Sequence, residues 1–239
     1  MNNDFRSGLI ALLAALSLLT ACGAQPAAPA AVPTLANSAP SVTVTGTVPE
    51  PLHIIEALAE DIIDRAPTDQ WDKIGEDVTS LAAAWQRYEP QANVDHPPAT
   101  VQQALSKGLA QLQTASDNKD AASTMQAAND VSAAVVELFD FYKPVMPADI
   151  GRLDVLERQI VLDVAANDFT AASTSLSQTK TVWDRLKPTI IEHDGAAVAA
   201  QFETSLATQQ DSINNKNVAT LTTEANNGLE LVDALEKLF

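Results

Sequence analysis

From residue 52 onward, apolar side chains recur every three or four positions. After Pro67, the residues Trp71, Ile74, Val78, Leu81, Trp85 and Tyr88 follow at intervals of 3, 4, 3, 4 and 3. That spacing lays one apolar stripe along a helix for nearly five turns. No strand-like alternation of comparable length interrupts the pattern, which predicts an all-α fold. Eight helical segments are expected, at roughly 52–66, 68–89, 98–116, 119–142, 148–166, 168–187, 194–213 and 216–238. Thr68, Asn118, Asn167 and Asn215 suit N-caps, because a short polar side chain accepts from a free amide of the first turn. Pro90 and Pro188 are expected to stop the second and sixth helices, since proline lacks the amide proton that a helix interior uses. Pro144 and Pro147 divide the segments into two sets of four.

The two sets resemble one another. "WQRYEP" at 85–90 returns as "WDRLKP" at 183–188, an offset of 98 residues (183 − 85). Carried backwards, that offset pairs Trp71 with Phe169, Val78 with Leu176, Leu81 with Thr179, Ile62 with Ile160 and Leu58 with Leu156, apolar with apolar almost throughout. Downstream the offset becomes 97, pairing Leu105 with Phe202, Leu109 with Leu206 and Tyr142 with Phe239. A duplication explains this correspondence: two tandem repeats, 52–145 and 146–239, each an up-down four-helix bundle joined by short loops. A fainter period of about half that length keeps an α-solenoid of helical hairpins open as the alternative. The repeated Trp-x-Arg-x-x-Pro is read as packing and capping. Its tryptophans, Trp85 and Trp183, lie on the stripe, and Arg87 and Arg185 fall near a helix C-terminus, where a cation is favoured. In "ELFDFY" (137–142), Phe139 and Phe141 add apolar surface beside Leu138 and Tyr142, as a second packed layer or an exposed contact.

The chain before residue 52 has a different pattern. A polar start with Arg6 runs into 13 residues of apolar sequence, Leu9 to Ala21. That is short for a membrane span, which needs about 20 residues, and fits the apolar region of a secretory signal peptide. Leu19-Thr20-Ala21-Cys22 resembles the lipobox of bacterial lipoproteins. The resemblance implies cleavage before Cys22 and acylation of its thiol, and Gly23 in place of aspartate implies the outer membrane where an organism has two. Cys22 is the single cysteine of the chain, which excludes an intramolecular disulfide. Two or three acyl chains, at about 0.8 kcal/mol per buried methylene, would anchor the protein to a lipid bilayer without spanning it. Residues 22–51 hold six prolines and little charge, so they read as a tether. It would reach about 80 Å extended and about 30 Å as a coil.

Charge and candidate chemistry narrow the picture further. Thirty-one acidic and 14 basic residues give a formal charge of −17. With no basic stripe, nucleic acid is not an expected partner. The histidines His53, His96 and His193 have carboxylates close in sequence: Glu56, Asp95 and Asp194. If the helices alternate direction, all three histidines gather at the end where the tether enters. His53-Ile-Ile-Glu56 resembles the His-x-x-Glu motif of imelysin-like helical proteins, which implies metal handling at the bacterial envelope. His53, Glu56, Asp95, His96, His193 and Asp194 are therefore the candidate ligands for a divalent metal ion. The competing reading is three solvated histidines in an acidic surface. No phosphate-binding glycine loop, nucleophile elbow or His-Glu-x-x-His appears, and the sequence does not read as an enzyme. The expectation is a lipid-anchored envelope protein facing the periplasm or the exterior. Its helical domain would be a binding or scaffolding module for an envelope protein, or alternatively a metal or small-ligand carrier for uptake.

Overall fold

The computed structural model describes residues 47–239, which are helical throughout apart from short connections. The expectations that fall on residues 1–46, namely the signal peptide, Cys22 and most of the tether, lie outside the described residues. Eight α-helices are present among those described: α1 (Glu50–Arg65), α2 (Trp71–Asp95), α3 (Ala99–Asp117), α4 (Ala121–Tyr142), α5 (Ala148–Ala165), α6 (Phe169–Glu192), α7 (Ala196–Asn214) and α8 (Val218–Glu236). No helix of the described residues is long and apolar enough to cross a membrane. Helix α1 begins at Glu50, earlier than the apolar pattern suggested. Pro49 takes the N-cap position, and Val48 is 5% exposed against the first core.

Neighbour relations follow directly from the short loops. Helix α1 packs on α2 and α4, and α3 packs on the same two. Likewise α5 packs on α6 and α8, and α7 packs on the same two. Two separate cores result. The first is built on Leu52, Ile55, Ile62, Leu81, Leu105 and Leu138. The second is built on Ile150, Leu153, Ile160, Trp183, Phe202 and Val232. Helix α4 also packs against α5, which joins the two sets. This extra neighbour explains why α4 is apolar on several faces, with Val131, Val135, Val136 and Leu138 all buried. Phe139 and Phe141 are half-buried and pack against the first core as an added layer.

Three local expectations need correction. Helix α2 continues through Pro90 to Asp95, and α6 continues through Pro188 to Glu192. Each proline removes one backbone hydrogen bond, but both prolines are exposed, so the freed carbonyls of the preceding turn can meet water. Beyond them Ala92 and Ile190 are buried, and that burial holds the last turn in place. As a consequence, Arg87 and Arg185 are no longer in a last turn. Arg185 instead pairs in bidentate fashion with Asp149, with Nε and Nη2 each 2.6 Å from its carboxylate.

The caps also shift. Asn118 and Asn215 end α3 and α7 rather than opening the next helix, and Asn167 sits in the left-handed region at φ 59°. Thr68 donates its hydroxyl to the Arg65 carbonyl, and Gln70 takes the N-cap position of α2. The N-caps of α4, α6 and α8 are Asp120, Asp168 and Asn217, each accepting from amides of the first turn. The same residues close the preceding helix. Asp120 N–H donates to Ala115 O, Asp168 N–H to Asp163 O and Asn217 N–H to Ser212 O. This is the six-to-one bond of a Schellman turn, with Lys119, Asn167 and Lys216 at positive φ beside it. One residue thus ends one helix and starts the next, which makes the hairpin loops as short as they are.

Candidate functional site

A concave feature lies where α1, α4, α5 and α8 meet. It is a cleft of about 810 Å³. Its lining includes the apolar residues Val48, Val136, Phe139, Val145 and Met146. It also carries six carboxyl groups: Glu56, Glu60 and Asp64 of α1, Asp154 of α5, and Asp233 and Glu236 of α8. Two cations also line the cleft, Arg158 and Lys143, the latter paired with Asp140 at 3.1 Å, and His53 completes it.

Helical periodicity sets this arrangement. Glu56 and Glu60 are four residues apart on α1, and Asp154 and Arg158 are four apart on α5, so each pair shares a face. The 98-residue sequence offset pairs Glu56 with Asp154 and Glu60 with Arg158. Matching positions of the two sets therefore face one cleft. Arg158 Nη2 donates to Glu60 Oε1 at 2.5 Å, and Arg158 Nη1 lies 2.6 Å from Asp154 Oδ2 without hydrogen-bond alignment.

Too few cations neutralise these acids. Burial, followed by the Glu60 and Asp154 carboxylates, pushes Glu56 up to about 8. Burial also pushes Asp154 up to about 7, against the pull of Arg158. Glu236 is raised as well, by burial and then by Asp233. Near neutral pH the cleft therefore holds protons where a bound cation would let the carboxylates ionise.

The α4–α5 seam fixes the cleft walls. Gln126 and Gln159 exchange two hydrogen bonds at 2.9 and 3.0 Å, and Asn129 Nδ2 donates to Val155 O at 3.2 Å. Arg152 grips Glu137 through Nε and Nη2 at 2.6 and 2.9 Å and also pairs with Asp149. A Cβ on Gly151 would meet the Val136 side chain at 2.9 Å, so glycine lets the two helices approach.

The residues chosen from sequence fall in three neighbourhoods. His53 is exposed and lies against Phe139, ring centroids 5.0 Å apart, while Glu56 points into the cleft. Asp95 accepts from Tyr142 Oη at 2.8 Å, and Tyr142 Oη lies 3.1 Å from Tyr88 Oη. His96 ends α2 in the left-handed region at φ 54°. His193 packs on Phe239 with centroids 4.4 Å apart, and Asp194 follows at φ 61°. Among the described residues, no three His, Cys, Asp or Glu side chains form a group able to hold a metal ion.

Reading the sequence missed Glu60, Asp154, Arg158 and Glu236. On separate helices their carboxylates look like ordinary solvated faces. The signal that could have found them was the offset itself, which places charged residues opposite charged residues at 56 and 154 and at 60 and 158. No family model matches the chain, and neither the curated proteins nor the solved structures compared with it give a match.

Proposed function

We propose that the chain is a lipid-anchored bacterial envelope protein whose helical domain is a duplicated binding module, with the cleft as its binding site. The observation that carries this reading is a cavity lined both by apolar side chains and by more carboxyl groups than cations. That lining suits a ligand with a positive group and an apolar body, whether a small molecule or a basic side chain of an envelope protein. The closed neighbour rings α1–α4 and α5–α8, with their separate cores, support two tandem four-helix bundles over a solenoid, whose helices would not return to the first of each set. The equivalence of Glu56 with Asp154 supports duplication.

The anchor reading rests on Leu19-Thr20-Ala21-Cys22 and puts the domain at the periplasm or exterior, held to a bilayer through acylated Cys22. A Cys22→Ser variant is expected to remain an uncleaved precursor that takes up no labelled palmitate, while the native chain is shortened and labelled. Equal labelling of the two would overturn the lipoprotein assignment.

A further inference from the structure

A second polar centre lies in the interior of α5–α8, on residues that do not line the cleft. Glu157 of α5 is fully buried, as is Gln209 of α7. Gln209 Nε2 donates to Glu157 Oε2 at 2.9 Å. The remaining oxygens of the same two side chains, Glu157 Oε1 and Gln209 Oε1, are buried and have no hydrogen-bond partner. Two acceptors orphaned on the two members of one hydrogen-bonded pair need a single proton to satisfy both. A carboxylic acid and a primary amide make that arrangement: N–H to one oxygen, and O–H back to the amide oxygen.

The surroundings favour the neutral acid. Gly228 of α8 lies against the carboxyl group, where a Cβ would sit 2.6 Å from Glu157 Cδ and Oε2. From α7, Ser205 and Gln209 are uncharged, and Ser205 donates its hydroxyl to the Glu224 carbonyl of α8. The buried residues of α6, Ser175 and Thr179, are uncharged too, and α4 meets α5 through Asn129 and Gln126. On α5 itself the charge that bears on Glu157 is Asp154, an acid. The neighbouring Arg158 is engaged by Glu60 and Asp154. Without a counter-cation, ionising a buried carboxyl group is costly.

The positions matched in the first set make the contrast plain. Where the second set has Glu157, Gln209 and Gly228, the sequence offsets place Ala59, Leu112 and Val131, all buried in the first core. The first set closes this layer with apolar volume; the second closes it with a proton.

We infer that Glu157 is a buried proton latch, a carboxylic acid that donates to Gln209 Oε1, and that loss of its proton loosens α5 from α7 and α8. Because α5 also carries Asp154 and Arg158, release of the latch would move one wall of the cleft. The latch itself does not depend on what the cleft binds.

Burial pushes Glu157 up to about 8, well above its unfolded value. The native state then holds a proton that the unfolded chain releases at lower pH. The stabilisation is complete below the unfolded carboxylate range and is lost as pH rises towards 8. Glu157→Gln keeps a donor at this position and cannot ionise. In the purified full chain, its melting midpoint should match wild type near pH 5 and exceed it by about 5 °C or more at pH 9. Carbon-13 spectra of the Glu157 Cδ in the wild-type chain should show titration near pH 8. Parallel melting profiles for the two chains would overturn the latch, and so would a Glu157 carboxyl that titrates in the ordinary range. The spectra decide the matter even if the variant fails to fold.

Discussion

Gly228→Val is expected to destabilise the chain by about 3 kcal/mol or more in chemical denaturation. The new side chain would enter space that the Glu157 carboxyl already fills, 2.6 Å from a modest Cβ alone. Overpacking of a dense core costs about 1–3 kcal/mol, and displacing a buried polar pair adds a further cost of similar size. The rescue is more informative than the loss. Combining Gly228→Val with Glu157→Ala and Gln209→Leu copies the Ala59, Leu112 and Val131 layer of the first set. Apolar replacement of a buried polar group is often neutral or stabilising, so the triple variant should recover most of the lost stability and exceed the single variant at every pH. A triple variant no more stable than Gly228→Val would mean that the two layers are not equivalent.

The second large effect belongs to Arg158. Its side chain is 16% exposed and lies between Glu60 and Asp154, with further carboxylates across the cleft. Arg158→Met keeps length and apolar contact while removing the charge. Breaking one partner out of a buried ion pair costs about 3–5 kcal/mol, and the partial exposure of Glu60 reduces that to about 2–3 kcal/mol here. The cost should depend on pH. Without Arg158, Glu56 and Asp154 hold their protons more tightly, which relieves the repulsion when protons are abundant. The loss is therefore expected to be largest near pH 8 and to shrink towards pH 5, as read by denaturant midpoints at both values. A pH-independent loss would place the role of Arg158 in packing alone.

How much of this was open to reading in the sequence depends on which forces act locally. The stripe from Trp71 to Tyr88 announces α2 because periodicity and burial coincide, and Ile74, Val78, Leu81 and Tyr88 are all buried. The prolines mislead because a local rule met a tertiary one: Ala92 and Ile190 are buried beyond them and carry the helices on. The caps were misplaced by two residues or less for a related reason. Asn118-Lys119-Asp120 has two good capping residues, and the Schellman closure assigns the first to the old helix and the last to the new.

The candidate site was only half legible. Glu56 was singled out for its nearness to His53, but its partners come from other helices. The buried acid Glu157 was hidden by the same limitation, since an exposed and a buried glutamate look alike until the facing residues are known. Comparing the two sets position by position exposes both. The sequence offset sets Ala59 against Glu157 and Glu60 against Arg158, two positions where the residue type changes.

The most direct test of the cleft is a calorimetric titration of the purified full chain with octylammonium, which joins one cationic group to one apolar body. Zn²⁺ serves as a parallel probe of the metal alternative. Saturable octylammonium binding is expected, tightening about tenfold or more from pH 6 to pH 8 as Glu56 and Asp154 give up protons. Buffer-dependent heats should report that proton release, and Glu56→Gln with Asp154→Asn should abolish the binding. No saturable binding at pH 8, or binding that survives the double substitution unchanged, would contradict the assignment of this cleft as the site.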